Sequence, residues 1–109
     1  MVWKDRSFPR HHIRDKFQAA FSSSSLRIGG EIHVISRRGL FLRTNQATVV
    51  GTVGYFGAKI PNGFFRANVV IRSVDPGRGI GFEFINMSSV DRNILQVFCG
   101  SLRHAAGQH

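Results

Sequence analysis

Arginine spacing is the first chemistry visible in the chain. Arg6 and Arg10 stand at the ends of Arg6-Ser7-Phe8-Pro9-Arg10, inside a stretch from Lys4 to Lys16 rich in Arg, Lys and His. Guanidinium forks bind phosphate bidentately and stack on planar rings, so paired arginines on one arm suit an anionic ligand. Arg14 repeats the spacing with Arg10 but lies farther along, toward the first strand. The alternative is a basic arm that is simply solvated. A second cluster is Ser36-Arg37-Arg38-Gly39, a turn carrying two guanidiniums. A third is Val74-Asp75-Pro76-Gly77-Arg78-Gly79-Ile80-Gly81-Phe82-Glu83-Phe84. Its Gly-x-Gly-x-Gly precedes a strand, so the helix N-terminus that normally holds phosphate is missing.

Catalytic and metal chemistry find little support. The single cysteine, Cys99, excludes a multi-Cys zinc site and any internal disulfide, in keeping with a reducing compartment. His11 and His12 are adjacent and would point to opposite faces of a strand, so they make no ready ligand pair. Asp75 falls in a turn and Asp91 at a helix start, leaving few carboxylates for acid–base work. No catalytic residue, metal ligand or cofactor is assigned. The formal charge of +9 favours an anionic partner: nucleotide, nucleic acid, acidic protein face or membrane surface. The start of the chain lacks the apolar stretch of a signal peptide, and no window is apolar enough to span a bilayer. A cytoplasmic chain is expected.

The elements that must position these residues are mostly strands. The 109 residues fit one domain, and the ten phenylalanines fall in short alternating runs suited to a sheet core. Residues 1–16 read as an irregular basic arm. Residues 17–103 read as a barrel or sandwich with one helix, and 104–109 as a flexible tail. Phe17, Ala19 and Phe21 alternate weakly, and Ile32 shares a face with Val34. Leu40-Phe41-Leu42 follows a turn in which Gly39 is free to take positive φ. Val53 and Tyr55, with Phe56 or Ile60, mark a strand ending at the Pro61-Asn62-Gly63 turn. Phe65, Ala67, Val69 and Ile71 alternate cleanly with Arg66, Asn68, Val70 and Arg72, and Ile80, Phe82 and Phe84 repeat the pattern. After Asn86 the period lengthens. Ser88-Ser89-Val90-Asp91 carries a helix start signal, and Val90, Ile94, Val97, Phe98 and Leu102 share one helical face. Gly100 weakens the end of that helix, and Cys99 is read as a half-buried small side chain.

In order and separation, Arg6-x-x-x-Arg10, Ser36-Arg37-Arg38-Gly39-Leu40-Phe41-Leu42, Gly79-Ile80-Gly81-Phe82-Glu83-Phe84 and a closing helix resemble the PilZ domain family from about Asp5 to Leu102. The resemblance implies a mainly β fold, a six-stranded antiparallel barrel with a C-terminal α-helix, and function by binding, with no enzymatic activity. It further implies that Arg6 and Arg10 grip the phosphates and guanines of cyclic di-GMP, with Arg14, Arg37 and Arg38 as weaker contributors. The family's second motif, Asp/Asn-x-Ser-x-x-Gly, falls on Val34-Ile35-Ser36-Arg37-Arg38-Gly39. Ser36 and Gly39 match it, and Val34 does not. Valine can neither accept nor donate a hydrogen bond, and losing such a contact costs roughly tenfold to a hundredfold in affinity. His33, next to Val34, would point to the opposite face of a regular strand.

Two functions of the same class follow from the resemblance. One is a cyclic di-GMP receptor acting through an unidentified protein partner in motility, attachment or exopolysaccharide production. The other is a PilZ-like adaptor that binds no nucleotide. A nucleic-acid-binding barrel is a third, weaker reading, because the phenylalanines alternate as core residues would and do not form an exposed stacking row.

Overall fold

A computed structural model describes residues 9–107. In chain order its elements are β1 (His11–His12), β2 (Gln18–Ser22), β3 (Arg27–Ile35), β4 (Gly39–Arg43), β5 (Val53–Ile60), β6 (Gly63–Asp75), β7 (Gly79–Asn86) and α1 (Ser89–Gly107). The sheet order is β1-β3-β2-β5-β6-β7-β4, and a further β3–β4 pairing closes β2 to β7 into a six-stranded antiparallel barrel. Closure leaves the barrel strands without a free edge.

Alternation sets the inward face. On β6, Phe65, Ala67, Val69 and Ile71 are buried, and they meet Ile80 and Phe82 of β7 inside. Phe82 packs against Phe21 and Phe56 with ring centroids 5.2 and 5.3 Å apart. Each fully buried phenylalanine contributes roughly 1.5–3 kcal/mol of transfer free energy, and Phe21, Phe56, Phe65 and Phe82 form the centre of the core. On β5 the inward residues are Phe56, Ala58 and Ile60; Val53 and Tyr55, the other residues that mark this strand in the sequence, face outward. Turns fall where the sequence signals them. Ile60 pairs with Gly63 across Pro61-Asn62, and Gly77 holds the β6–β7 turn at φ +79°, a conformation that favours glycine.

The helix begins as its capping signal predicts. The Asp91 amide donates to Ser88 Oγ (3.1 Å), and the Ser88 hydroxyl donates to the Asp91 carboxylate. That carboxylate also accepts from the Arg66 amide at 2.9 Å, tying the helix start to β6. The buried stripe differs from the predicted one. Leu95, Phe98 and Cys99 are buried, with Ile94 and Leu102 partly so, while Val90 and Val97 stay exposed. The barrel end accepts a narrower and rotated face than periodicity alone selects. The helix also runs through Gly100 to Gly107, past His104, where composition suggests a tail.

The basic arm is partly structured. His11 and His12 pair with Ile35 and Val34 as β1, so β1 and β2 share one edge of β3. The Ile13 amide donates to the His33 carbonyl and the Ile32 amide to the Phe17 carbonyl. Arg14, Asp15 and Lys16 are therefore looped out of that edge, and all are exposed.

Candidate functional site

The β1 pairing holds Arg10 at the C-terminal end of β3. There Arg10 lines a groove of about 390 Å³ together with Val34, Phe41, Ser73, Asp75 and Gly81. That volume is within the range of small-molecule sites. The floor depends on two strand glycines. Phe41, outward on β4, lies across β7 so closely that a Cβ on Gly79 would sit 2.5 Å from its ring. A Cβ on Gly81 would collide with the Ser73 hydroxyl. The Gly-x-Gly-x-Gly run thus supplies the flat bed on which an aromatic ring rests. It cradles no phosphate at a helix end.

A bulge re-aims β3. Pairing with β4 shifts register between Ile32 and Val34, so the extra residue breaks the two-residue alternation. His33 consequently shares the outer surface with Val34 and does not take the opposite face. Its ring stands 6.2 Å from that of Phe41 and 5.7 Å from that of His12, and its Nδ1 accepts from Arg43 Nη2 at 2.8 Å. Arginine has no acceptor, so Nδ1 carries the lone pair and the ring proton sits on Nε2. Burial lowers the His33 pKa below its ordinary value, and the charges of Arg43, His12 and Arg78 lower it further. At neutral pH the ring is a neutral Nε2–H donor beside Phe41. Asp75 and Ser73 add polar groups across the groove, and Asp75 lies 3.6 Å from the Arg78 guanidinium.

The sequence-predicted residues divide into separate places. Arg6 lies outside the described residues. Arg10 and Val34 line the groove. Ser36 is buried: its hydroxyl donates to the Gly39 carbonyl (3.3 Å) and accepts from the Arg38 amide (3.1 Å). Its polar capacity goes into the turn, as serine hydroxyls commonly do. Gly39 is buried opposite Glu83 and does not have the positive φ allowed for it. Arg38 lies 3.6 Å from Glu83, which also binds Arg72. Arg37 lines a smaller cavity of about 190 Å³ with Asn86, Met87 and Arg92 beside the helix. Neither turn arginine lines the groove, and Arg14 sits on the looped-out segment. Phe41 and Asp75 fall inside the motifs quoted above without being marked as site residues, and Ser73 lies outside them. The paired outward glycines of β7 are the one local hint of them.

A comparison with family models matches the PilZ domain over residues 4–101. The chain belongs to the PilZ domain family. Among solved structures it is similar to the PilZ protein YcgR of Escherichia coli in complex with c-di-GMP, with TM-score 0.79, 16% identity, and coverage of 98% of this chain and 49% of that one. It thus spans about half the length of that YcgR structure. The PilZ domain of E. coli YcgR with c-di-GMP matches at TM-score 0.74 and 15% identity, over 97% of this chain and 96% of that one. An uncharacterized Legionella protein matches at TM-score 0.62 and 20% identity, over 90% and 97%. No curated protein matches the sequence. At these identities the likeness establishes the PilZ fold, the barrel with a terminal helix. Among the described residues no group of three His, Cys, Asp or Glu could hold a metal ion, and no helix is long and apolar enough to cross a membrane.

Proposed function

We propose that this PilZ chain is a bacterial, cytoplasmic signalling protein that binds cyclic di-GMP in the Arg10 groove and passes the signal to a partner protein, without catalysis. The observation that carries the reading is the meeting of Arg10 with the Phe41 bed and the Val34 position at one groove. Arg10 and Arg6 close over the phosphates and stack on guanine, as guanidinium forks do. Ordering the arm on the ligand costs part of the binding free energy. Both YcgR structures named above contain c-di-GMP, which supports the choice of ligand. Asp75 offers the carboxylate that Val34 lacks, placed to accept from a guanine edge. Ser36 and Gly39 act beneath the ligand by holding the turn, and Arg37 and Arg38 add charge at a distance. Motility, attachment or exopolysaccharide production is the output this family assignment favours.

Val34 favours a second reading. It puts an apolar side chain where the family motif has an acceptor, as an adaptor freed of nucleotide would. Calorimetric titration with cyclic di-GMP, beside Arg10→Ala and with GTP as control, separates the two. Saturable binding lost in Arg10→Ala supports the receptor. Absence of heat and of thermal shift at millimolar ligand leaves the adaptor.

A further inference from the structure

A second concavity, of about 660 Å³, lies on the outer face of β2, β5 and β6. It shares no lining residue with the Arg10 groove. Its floor is made of small residues: Ala20 and Gly57 are direct partners across β2 and β5. Tyr55 and Phe64 rise beside that floor, and they are 71% and 45% exposed. Phe64 leans over Gly57, where an added Cβ would lie 2.8 Å from its ring. Lys59 and Arg66 complete the rim, with the Arg66 guanidinium 4.9 Å from the Phe64 centroid. Among the described residues no acidic side chain lines this concavity, although Glu31 accepts from the Gln18 side chain and Asp91 from the Arg66 amide beside it.

Exposed aromatics around an apolar floor are where binding energy concentrates in protein interfaces. A basic rim selects an acidic counterpart and speeds its approach. We propose that this face docks an acidic amphipathic segment of a partner protein. An apolar side chain of the segment seats on Ala20 and Gly57 between Tyr55 and Phe64, and its carboxylates meet Lys59 and Arg66. Because the closed barrel offers no strand edge here, docking relies on side chains and not on strand addition. A second copy of this chain fits poorly, since it would bring the same two cations to the contact. A single-stranded nucleic acid needs a continuous track of cations for its phosphates, and one of the two cations here already covers Phe64. The site does not depend on nucleotide binding.

The test selects a displayed library of random peptides, each about 15 residues or four helical turns long, on the immobilised full chain without nucleotide. The expected winners are net acidic with an aromatic or large aliphatic anchor. Their binding should weaken about tenfold or more in Tyr55→Ser and in Lys59→Glu. Both side chains are exposed, so circular dichroism should show both variants folded. NMR shifts on adding a winning peptide should centre on Ala20, Tyr55 and Gly57. Selection of neutral or basic peptides, equal binding by Tyr55→Ser, or shifts centred elsewhere would overturn the proposal. So would self-association abolished by Tyr55→Ser, or binding of an oligothymidylate at this face.

Discussion

Phe41 lies against Gly79 on one outer face of the barrel, and Phe64 lies against Gly57 on another. Both glycines sit in central strands and let a ring from the neighbouring strand settle flat, which hollows the sheet surface. The surroundings differ. The Phe41 face has Arg10 at its mouth, Ser73 and Asp75 along its side and His33 next to the Phe41 ring, so it can satisfy a polar ligand. The Phe64 face has small apolar residues with cations at the edge and suits an apolar anchor with acidic flanks. The same backbone device makes a hollow with polar walls or an apolar one with a basic edge, according to the groups the topology delivers to it.

Arg10→Ala should separate the two faces most clearly. A charge-assisted contact is worth about 1.5–3 kcal/mol, so cyclic di-GMP affinity should fall roughly tenfold to a hundredfold. Peptide binding at the Phe64 face should be unchanged, and titration of both ligands on one preparation checks it. The two glycines come next. A Cβ on Gly79 would run into the Leu42 carbonyl as well as the Phe41 ring. Backbone cannot yield, so Gly79→Ala should cost about 1–3 kcal/mol in urea denaturation, as overpacking does. A Cβ on Gly57 would meet chiefly the tip of Phe64, which is half exposed and free to swing. Gly57→Ala should therefore stay within about 0.5 kcal/mol of wild type, helped by the better strand propensity of alanine. Equal losses at the two sites would show that the faces are not built as described.

A smaller effect sharpens the ligand side. Val34→Asp restores the family's acceptor within the groove and should raise cyclic di-GMP affinity about tenfold in calorimetry. An unchanged affinity would mean that Asp75 already fills that role. The smallest effect is on pH. The folded state holds His33 below its ordinary pKa, so the unfolded chain binds the proton first. Stability from this group is complete above about pH 6.5 and declines as pH falls through that value. Melting at pH 5.5 should thus be lower than at pH 7.5, and His33→Gln should narrow the gap.

Much of the architecture is legible in single stretches. Phe65, Ala67, Val69 and Ile71 alternate along β6 and each is buried, although Val70 between the last two is buried as well. Ser88 and Asp91 start the helix where their spacing says. Arg10 stands out by residue type. Faces are misread where the local period breaks or where the neighbouring layer decides. The β3 bulge turns His33 outward, although two-residue periodicity places it opposite Val34. Val90 and Val97 satisfy helical spacing, but the barrel end accepts Leu95, Phe98 and Cys99. Burial in that seam pushes the Cys99 thiol up to about 11, against the weaker opposing pull of Arg37.

Short stretches of the chain carry a β class with one closing helix, left open between barrel and sandwich, the turn positions and most of the inward face, and they mark Arg10 as one of several candidate arginines. These depend on properties carried within a few consecutive residues: side-chain alternation, glycine and proline in turns, and a capping pair. Which outward residues share a hollow depends on how distant strands are paired. Arg10, Phe41 and Asp75 become neighbours because barrel closure pairs β3 with β4 and β4 with β7. Ala20 meets Gly57 because β2 pairs with β5. Contacts between distant segments are set by register and closure, which no local pattern encodes.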